Sequence, residues 1–131
     1  MLGAITGDII GSIYEFNNIK TKNFNLFTDK NYFTDDTVMS FAVAEALMNG
    51  SKSEDFIRFM KRYGVLYPRA GYGGTFFSWL FSNTTEPYNS WGNGSAMRVS
   101  PCGWVAKLSE PFEEGLKLTE DLAKKSAEVT H

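Results

Sequence analysis

Apolar residues recur along this chain at helical spacing and predict helices from end to end. At ~100° per residue, Leu2, Ile5, Ile9, Ile13 and Phe16 share one face of a first helix over about residues 2–16, a face expected to meet the core. Gly3, Gly7 and Gly11 form a stripe on another side, with Asp8 and Glu15 projecting close together beside it. Each glycine costs roughly 1 kcal/mol against alanine in a helix. Three in register point to tight helix packing or to a backbone or ligand that comes close. Residues 17–33 are polar and aromatic without clear period and read as a surface loop, with weak strand character over 23–33. A second helix is expected from Asp35 to about Met48, burying Val38, Phe41, Ala42 and Leu47 and stopping at Asn49-Gly50. A third starts near Ser53 and turns Phe56, Ile57, Phe59, Met60 and Tyr63 inward. Beyond a Gly/Pro/aromatic segment over 66–74, the pattern predicts a short helix over 75–81 and a loop over 83–94. It then predicts a helix from Ser95 to about Leu108 kinked at Pro101, and a last helical region that opens at Pro111 and breaks near Thr119. The fold class is all-α.

Two stretches interrupt this pattern with chemistry. Thr34-Asp35-Asp36-Thr37 stands at the start of the second helix. Thr34 suits the N-cap, and Asp35 and Asp36 suit the positive end of the helix dipole. Capping does not require two adjacent carboxylates, however. Together with the hydroxyls they make a set of hard oxygen donors of the kind a Mg²⁺-class ion takes, and a cation would relieve their repulsion. A shell of about six oxygens needs further donors, for which Asp8 and Glu15 are candidates. The second stretch runs from Ser90 to Arg98. Gly92 and Gly94 let the backbone turn its N–H groups inward, and Ser90, Asn93 and Ser95 add side-chain donors, a cradle suited to phosphate. Arg98 could neutralise a phosphate or hold a carboxylate, and Trp91 could stack on a nucleobase. The plainer alternative is a glycine loop capped by Ser95 with Trp91 and Met97 in the core. The segment 67–74 suits a sugar or a base, or an ordinary helix connection. His131 is the only histidine.

Composition narrows the function classes. The 131 residues make one domain with room for a core, and the aromatic share of 15% is high. Net charge is −2 with no Lys/Arg block, so a nucleic-acid backbone footprint is not expected. Cys102 is the lone cysteine, which excludes an internal disulfide and suggests a reducing, cytoplasmic setting. Asp8 interrupts the N-terminal apolar stretch and no basic segment precedes it, which argues against a signal peptide. No apolar run approaches the ~20 residues a bilayer span needs, so no membrane partner is expected.

Five segments, in order along the chain, resemble the ADP-ribosylglycohydrolase family, the group that includes the dinitrogenase reductase-activating glycohydrolase and the ADP-ribosylarginine and ADP-ribosylserine hydrolases. They are Gly3-Ala4-Ile5-Thr6-Gly7-Asp8-Ile9-Ile10-Gly11 with Glu15, then Phe33-Thr34-Asp35-Asp36-Thr37, then Ala70-Gly71-Tyr72-Gly73-Gly74. Gly92-Asn93-Gly94-Ser95-Ala96-Met97-Arg98-Val99 and Ser126-Ala127-Glu128-Val129-Thr130-His131 complete the set. The resemblance implies an all-α orthogonal bundle with a two-ion Mg²⁺ (sometimes Mn²⁺) centre. It implies hydrolysis of the bond between the distal ribose of ADP-ribose and an acceptor such as arginine or serine. By that likeness Thr34, Asp35 and Asp36 are metal ligands, and Glu15 and Asp36 the catalytic carboxylates, Glu15 as acid/base or water-positioning group. Ser90, Asn93, Gly94, Ser95 and Met97 line the diphosphate and adenosine end, Trp91 lies near the base, Gly71 and Tyr72 border the ribose, and His131 sits near the ligand.

Members of the family are roughly twice this length, which implies that residues 1–131 form the N-terminal part of the domain and lack the half that carries a second acidic motif. The expectation is then a weak or inactive hydrolase on its own, with exposed apolar surface that invites dimerisation. The partner the resemblance implies is ADP-ribose or an ADP-ribosylated protein; the competing expectation is a non-catalytic module, a pseudo-hydrolase that binds ADP-ribose or only a protein partner.

Overall fold

The computed structural model describes residues 1–105 and 111–131. Seven helices carry the described chain: α1 (Leu2–Gly11), α2 (Asp35–Met48), α3 (Ser53–Leu66), α4 (Gly74–Phe81), α5 (Gly94–Arg98), α6 (Cys102–Val105) and α7 (Phe112–Glu128). No strand occurs among the described residues, so the faint strand character of 23–33 is not realised.

The centre is α2, which touches α1, α3, α5 and α6. A helix with neighbours on several sides must be apolar around most of its circumference. Val38, Met39, Ala42, Val43 and Ala46 are all buried. The expected inner face was therefore too narrow, and in part misplaced. Phe41 is 42% exposed, and Leu47 only packs against the margin of the core. Phe41 instead joins Phe33, Tyr63 and Tyr67 around a shallow apolar hollow. From α3, Phe56, Phe59 and Met60 enter the core, with Ile57 and Tyr63 partly buried against it. Phe76, Trp79 and Leu80 cover them from α4. Gly64 is the point of closest approach between these two helices: a Cβ there would lie 2.8 Å from Leu80 Cδ1.

Polar ties set the loops around this core. Lys61 Nζ donates to the carbonyls of Trp79 (2.7 Å) and Ser82 (2.8 Å), closing the C-terminal end of α4 with a positive charge. Trp79 Nε1 donates to Glu86 O at 2.9 Å and fixes the course of the following loop.

Three expectations give way. First, α1 stops at Gly11 rather than near Phe16, and none of its residues is buried. Leu2 and Phe16, expected inside, are 79% and 89% exposed. This helix is held by polar groups: Asn31 Nδ2 donates to the carbonyls of Ile9 and Ile10 at its C-terminal end. Its glycine stripe meets nothing, since a Cβ at Gly3, Gly7 or Gly11 would find no atom within 4 Å. Second, Pro101 separates α5 from α6 outright instead of kinking one helix. The remainder of that expected helix, residues 106–108, lies outside the described residues. Third, α7 continues through Thr119, whose hydroxyl donates back to Gly115 O at 3.0 Å and is satisfied within the helix. Among the described residues no helix is long and apolar enough to cross a membrane.

The two kinds of glycine predict opposite outcomes. Gly64→Ala should destabilise the fold by about 1 kcal/mol, the overpacking against Leu80 outweighing the gain in helix propensity. Gly7→Ala should stabilise it by up to about 1 kcal/mol. Urea unfolding of both variants checks the sign of each.

Candidate active site

Helix α2 begins in a cluster of polar side chains. Thr34 occupies its N-cap position with extended backbone, yet its hydroxyl does not cap the helix. That task passes to Asp8 of α1. One Asp8 oxygen accepts the N–H groups of Thr34 (2.8 Å) and Thr37 (3.2 Å) together with the Thr37 hydroxyl, and the other accepts the Thr34 hydroxyl. The carboxylate thus satisfies the otherwise orphaned N–H of the first turn and complements the helix dipole. Sequence reading placed Asp8 among the spare donors; its oxygens are in fact committed to the two threonines.

Asp35 and Asp36 follow within the same turn. The Asp35 N–H donates to Ala70 O at 2.8 Å, which draws the 70–72 turn against the acidic pair. At Gly71 φ is +100°, a conformation that side chains rarely adopt, and an added Cβ would lie 3.8 Å from Asp35 Oδ1. Burial and then the neighbouring Asp36 carboxylate, with smaller contributions from Glu15 and Asp8, push the Asp35 carboxyl up from 3.8 to about 6. Asp36 is also raised, by burial first and Asp8 second. Burial, and then Asp35, raise the Tyr72 phenol, whose hydroxyl has no hydrogen-bond partner. Glu15 is exposed, on the turn that follows α1, near enough to Asp35 to disfavour its ionisation.

Asp35 lines a cavity of about 500 Å³ together with the start of α4, the 88–94 loop and α5. That is an ordinary size for a small-molecule site. Of the residues expected on a ligand, Ser90, Trp91, Asn93, Gly94 and Met97 line it. Trp91 is fully exposed, so the alternative that buried it in the core is excluded; Met97 is half-buried and does pack on the core. Among the described residues the N–H groups of Trp91, Asn93 and Gly94 donate to nothing. Ser95 and His131 do not line the cavity but stand behind its loop. The His131 ring meets Gly92 O at 3.1 Å and Ser95 Oγ at 3.4 Å, and the Ser90 N–H donates to Thr130 O at 2.9 Å. Gly71 and Tyr72 flank Asp35 outside the cavity wall. Asp36 is also off the wall, 3.5 Å from the Thr34 hydroxyl.

Arg98 lines the same cavity although it is 1% exposed. Its Nη2 donates to Ser126 O (2.6 Å) and Thr130 Oγ1 (2.8 Å), its Nε has no partner, and among the described residues it pairs with no carboxylate. Burial draws its pKa down to about 10, so it remains a cation at neutral pH. Sequence reasoning missed Thr75, Phe76, Tyr88 and Asn89 on the wall. Asn89 carried a faint signal, since Asn is among the few residues that tolerate the positive φ (52°) it adopts.

For a divalent cation, the donors here are right in kind. Burial first, and then the neighbouring carboxylates, raise Asp35 and Asp36; a cation would relieve the repulsion, and Thr34 keeps lone pairs beyond the bond it donates. They are few in number: among the described residues no three His, Cys, Asp or Glu side chains gather as a metal-holding group.

Compared with known proteins, the chain matches the family model described as ADP-ribosylglycohydrolase over residues 1–131. No curated protein matches it.

Two measurements test the geometry. Asp8→Ala should cost about 2–4 kcal/mol in urea unfolding, because it strips several charge-assisted hydrogen bonds from the start of α2. Asp35 holds its proton more tightly folded than unfolded, so its contribution to stability is full below about pH 4 and is lost as pH rises through about 6. Asp35→Asn should therefore raise the melting temperature at pH 7, with the gain vanishing below about pH 4.

Proposed function

This chain belongs to the ADP-ribosylglycohydrolase family, and from that membership we propose that its cavity receives ADP-ribose for cleavage of the bond to an acceptor such as an arginine or serine side chain. The observation that supports this reading is the shared cavity: Asp35 from the acidic helix start, a glycine loop with free N–H groups and a buried guanidinium all line it.

In this reading the diphosphate lies against the Asn93 and Gly94 N–H groups, with Ser90 adding a hydroxyl, Ser95 supporting the loop from behind and the Arg98 charge backing it. The exposed Trp91 indole stacks on the adenine, and Met97 supplies the apolar wall beside it. The distal ribose then points toward Asp35, with Gly71 and Tyr72 bordering it. Thr34, Asp35 and Asp36 would hold Mg²⁺, or Mn²⁺, both of which favour such oxygen donors. When bound, such an ion polarises ligand oxygens and supplies positive charge beside the reacting ribose. Glu15, exposed and near enough to Asp35 to disfavour its ionisation, would orient a water or pass a proton to or from the leaving group. Asp36 serves beside it as the second carboxylate.

The few donors gathered at α2 favour a restrained view of residues 1–131 alone. The balance of a six-oxygen shell would come from water or from groups outside the described residues. Weak cation affinity and slow turnover are expected, and the non-catalytic alternative is that the cavity binds ADP-ribose without cleaving it.

Calorimetry with ADP-ribose, with and without Mg²⁺, should give binding that Mg²⁺ strengthens. Trp91→Ala should weaken it about tenfold through lost stacking, and Asp35→Asn with Asp36→Asn should abolish the Mg²⁺ effect. Release of ADP-ribose from ADP-ribosylated arginine or serine separates hydrolase from binder. A folded protein that neither binds nor releases ADP-ribose rejects the proposal.

A further inference from the structure

Arg98 is spent differently from what its place in the sequence suggested. We propose that it is a positioning residue which, through Thr130 and the tautomer of His131, fixes the carbonyl of Gly92 and so the shape of the ligand loop. This rests on the reading that the 90–94 loop is the ligand loop.

The argument follows from which groups can donate. A guanidinium only donates. Toward Arg98 Nη2, at 2.8 Å, the Thr130 hydroxyl must therefore act as acceptor. Its own hydrogen is left for another group, and the nearest acceptor is His131 Nδ1 at 3.0 Å, against 3.3 Å for Ala127 O. An imidazole that accepts at Nδ1 and is neutral carries its hydrogen on Nε2. Nε2 faces Gly92 O at 3.1 Å, and a carbonyl only accepts. Every link agrees in polarity, from a buried cation to a loop carbonyl. Were the hydrogen on Nδ1, Thr130 would have to turn its own hydrogen to the more distant Ala127 O, and at Gly92 two acceptors would meet.

The same contacts grip the loop twice. Ser90 N–H donates to Thr130 O at 2.9 Å, while Arg98 also holds Ser126 O one turn earlier on α7. The end of α7 is thereby clamped between the guanidinium and the loop. With the Gly92 carbonyl tied back to His131, the unpaired N–H groups of Asn93 and Gly94 stay at the cavity wall.

His131 is the only histidine, so a long-range ¹H–¹⁵N spectrum of the protein, recorded with the ring neutral, reads its tautomer directly. The expected result is a single Nε2–H form in the native protein, in Thr130→Ser and in Arg98→Lys, which keep the hydroxyl and the pure donor respectively. Thr130→Val should lose that single form, exchange the Ser90 amide about tenfold faster, and weaken ADP-ribose binding about tenfold, one hydrogen-bonded link being removed. Arg98→Met should behave likewise where it folds, and the Thr130 pair decides the matter where it does not. An Nδ1–H form in the native protein, or a tautomer and Ser90 exchange rate unmoved by Thr130→Val, overturns the proposal. Tautomer and exchange that follow the variants in a protein with no affinity for ADP-ribose support the positioning role and reject the ligand reading instead.

Discussion

The Asp8 carboxylate receives two backbone N–H groups and two hydroxyls from Thr34 and Thr37. Much of the acidic edge of the cavity depends on that convergence. It joins α1 to α2 without burying a single α1 side chain, it ends the otherwise unsatisfied first turn of α2, and it sets the direction in which Asp35 and Asp36 leave the helix. Since Asp8 is itself an anion, it also contributes to the field that raises both neighbours. One charge thus organises the helix start and adds, after burial, to what raises its two acids.

The loop wall is built on the same plan with the sign reversed. There a buried guanidinium, rather than a carboxylate, collects the polar groups of a helix end. Burying a lone cation is expensive unless its hydrogens are met. Ser126 O and Thr130 Oγ1 meet part of that need, and the Phe76 ring lies 5.9 Å from the charge. Between the two charged anchors, α2, α3 and α4 form an apolar scaffold that meets the cavity only through Asp35 and the first turn of α4, Gly74, Thr75 and Phe76. Rigid scaffold and polar periphery are therefore separable, as small-molecule sites commonly require.

Much of this could be read from residue order, and the failures have physical causes. Helices α2, α3 and α4 were legible because their apolar spacing reflects real burial. The same spacing misled at α1, where Leu2 and Phe16 look like a core face but point to water. Periodicity says which residues share a side, not whether anything packs on that side. The partition of α2 was also hidden, because a helix surrounded by neighbours shows no preferred face. At the site, Thr34-Asp35-Asp36 and the Ser90–Gly94 loop stood out by local composition. The cavity residues Tyr88 and Asn89 did not, and neither did the roles of Asp8 and Arg98. Those roles arise from partners 26 to 32 positions away, and separation of that kind leaves no local trace. Thr34 shows the limit most clearly, since a residue typical of an N-cap sits at the N-cap and bonds elsewhere.

The lack of apolar anchorage on α1 bears on how the molecule opens. A segment that buries no side chain, followed by exposed loop from residue 17 to 30, belongs to the least protected class of substructure and swings free at a fraction of the global unfolding energy. Amide hydrogens there would trade with solvent while those of α2 and α3 stay closed. Each excursion carries Asp8 away and leaves the first turn of α2 frayed with its acids loosened. The centre that needs the most exact order is thus hinged to the part of the chain with the least.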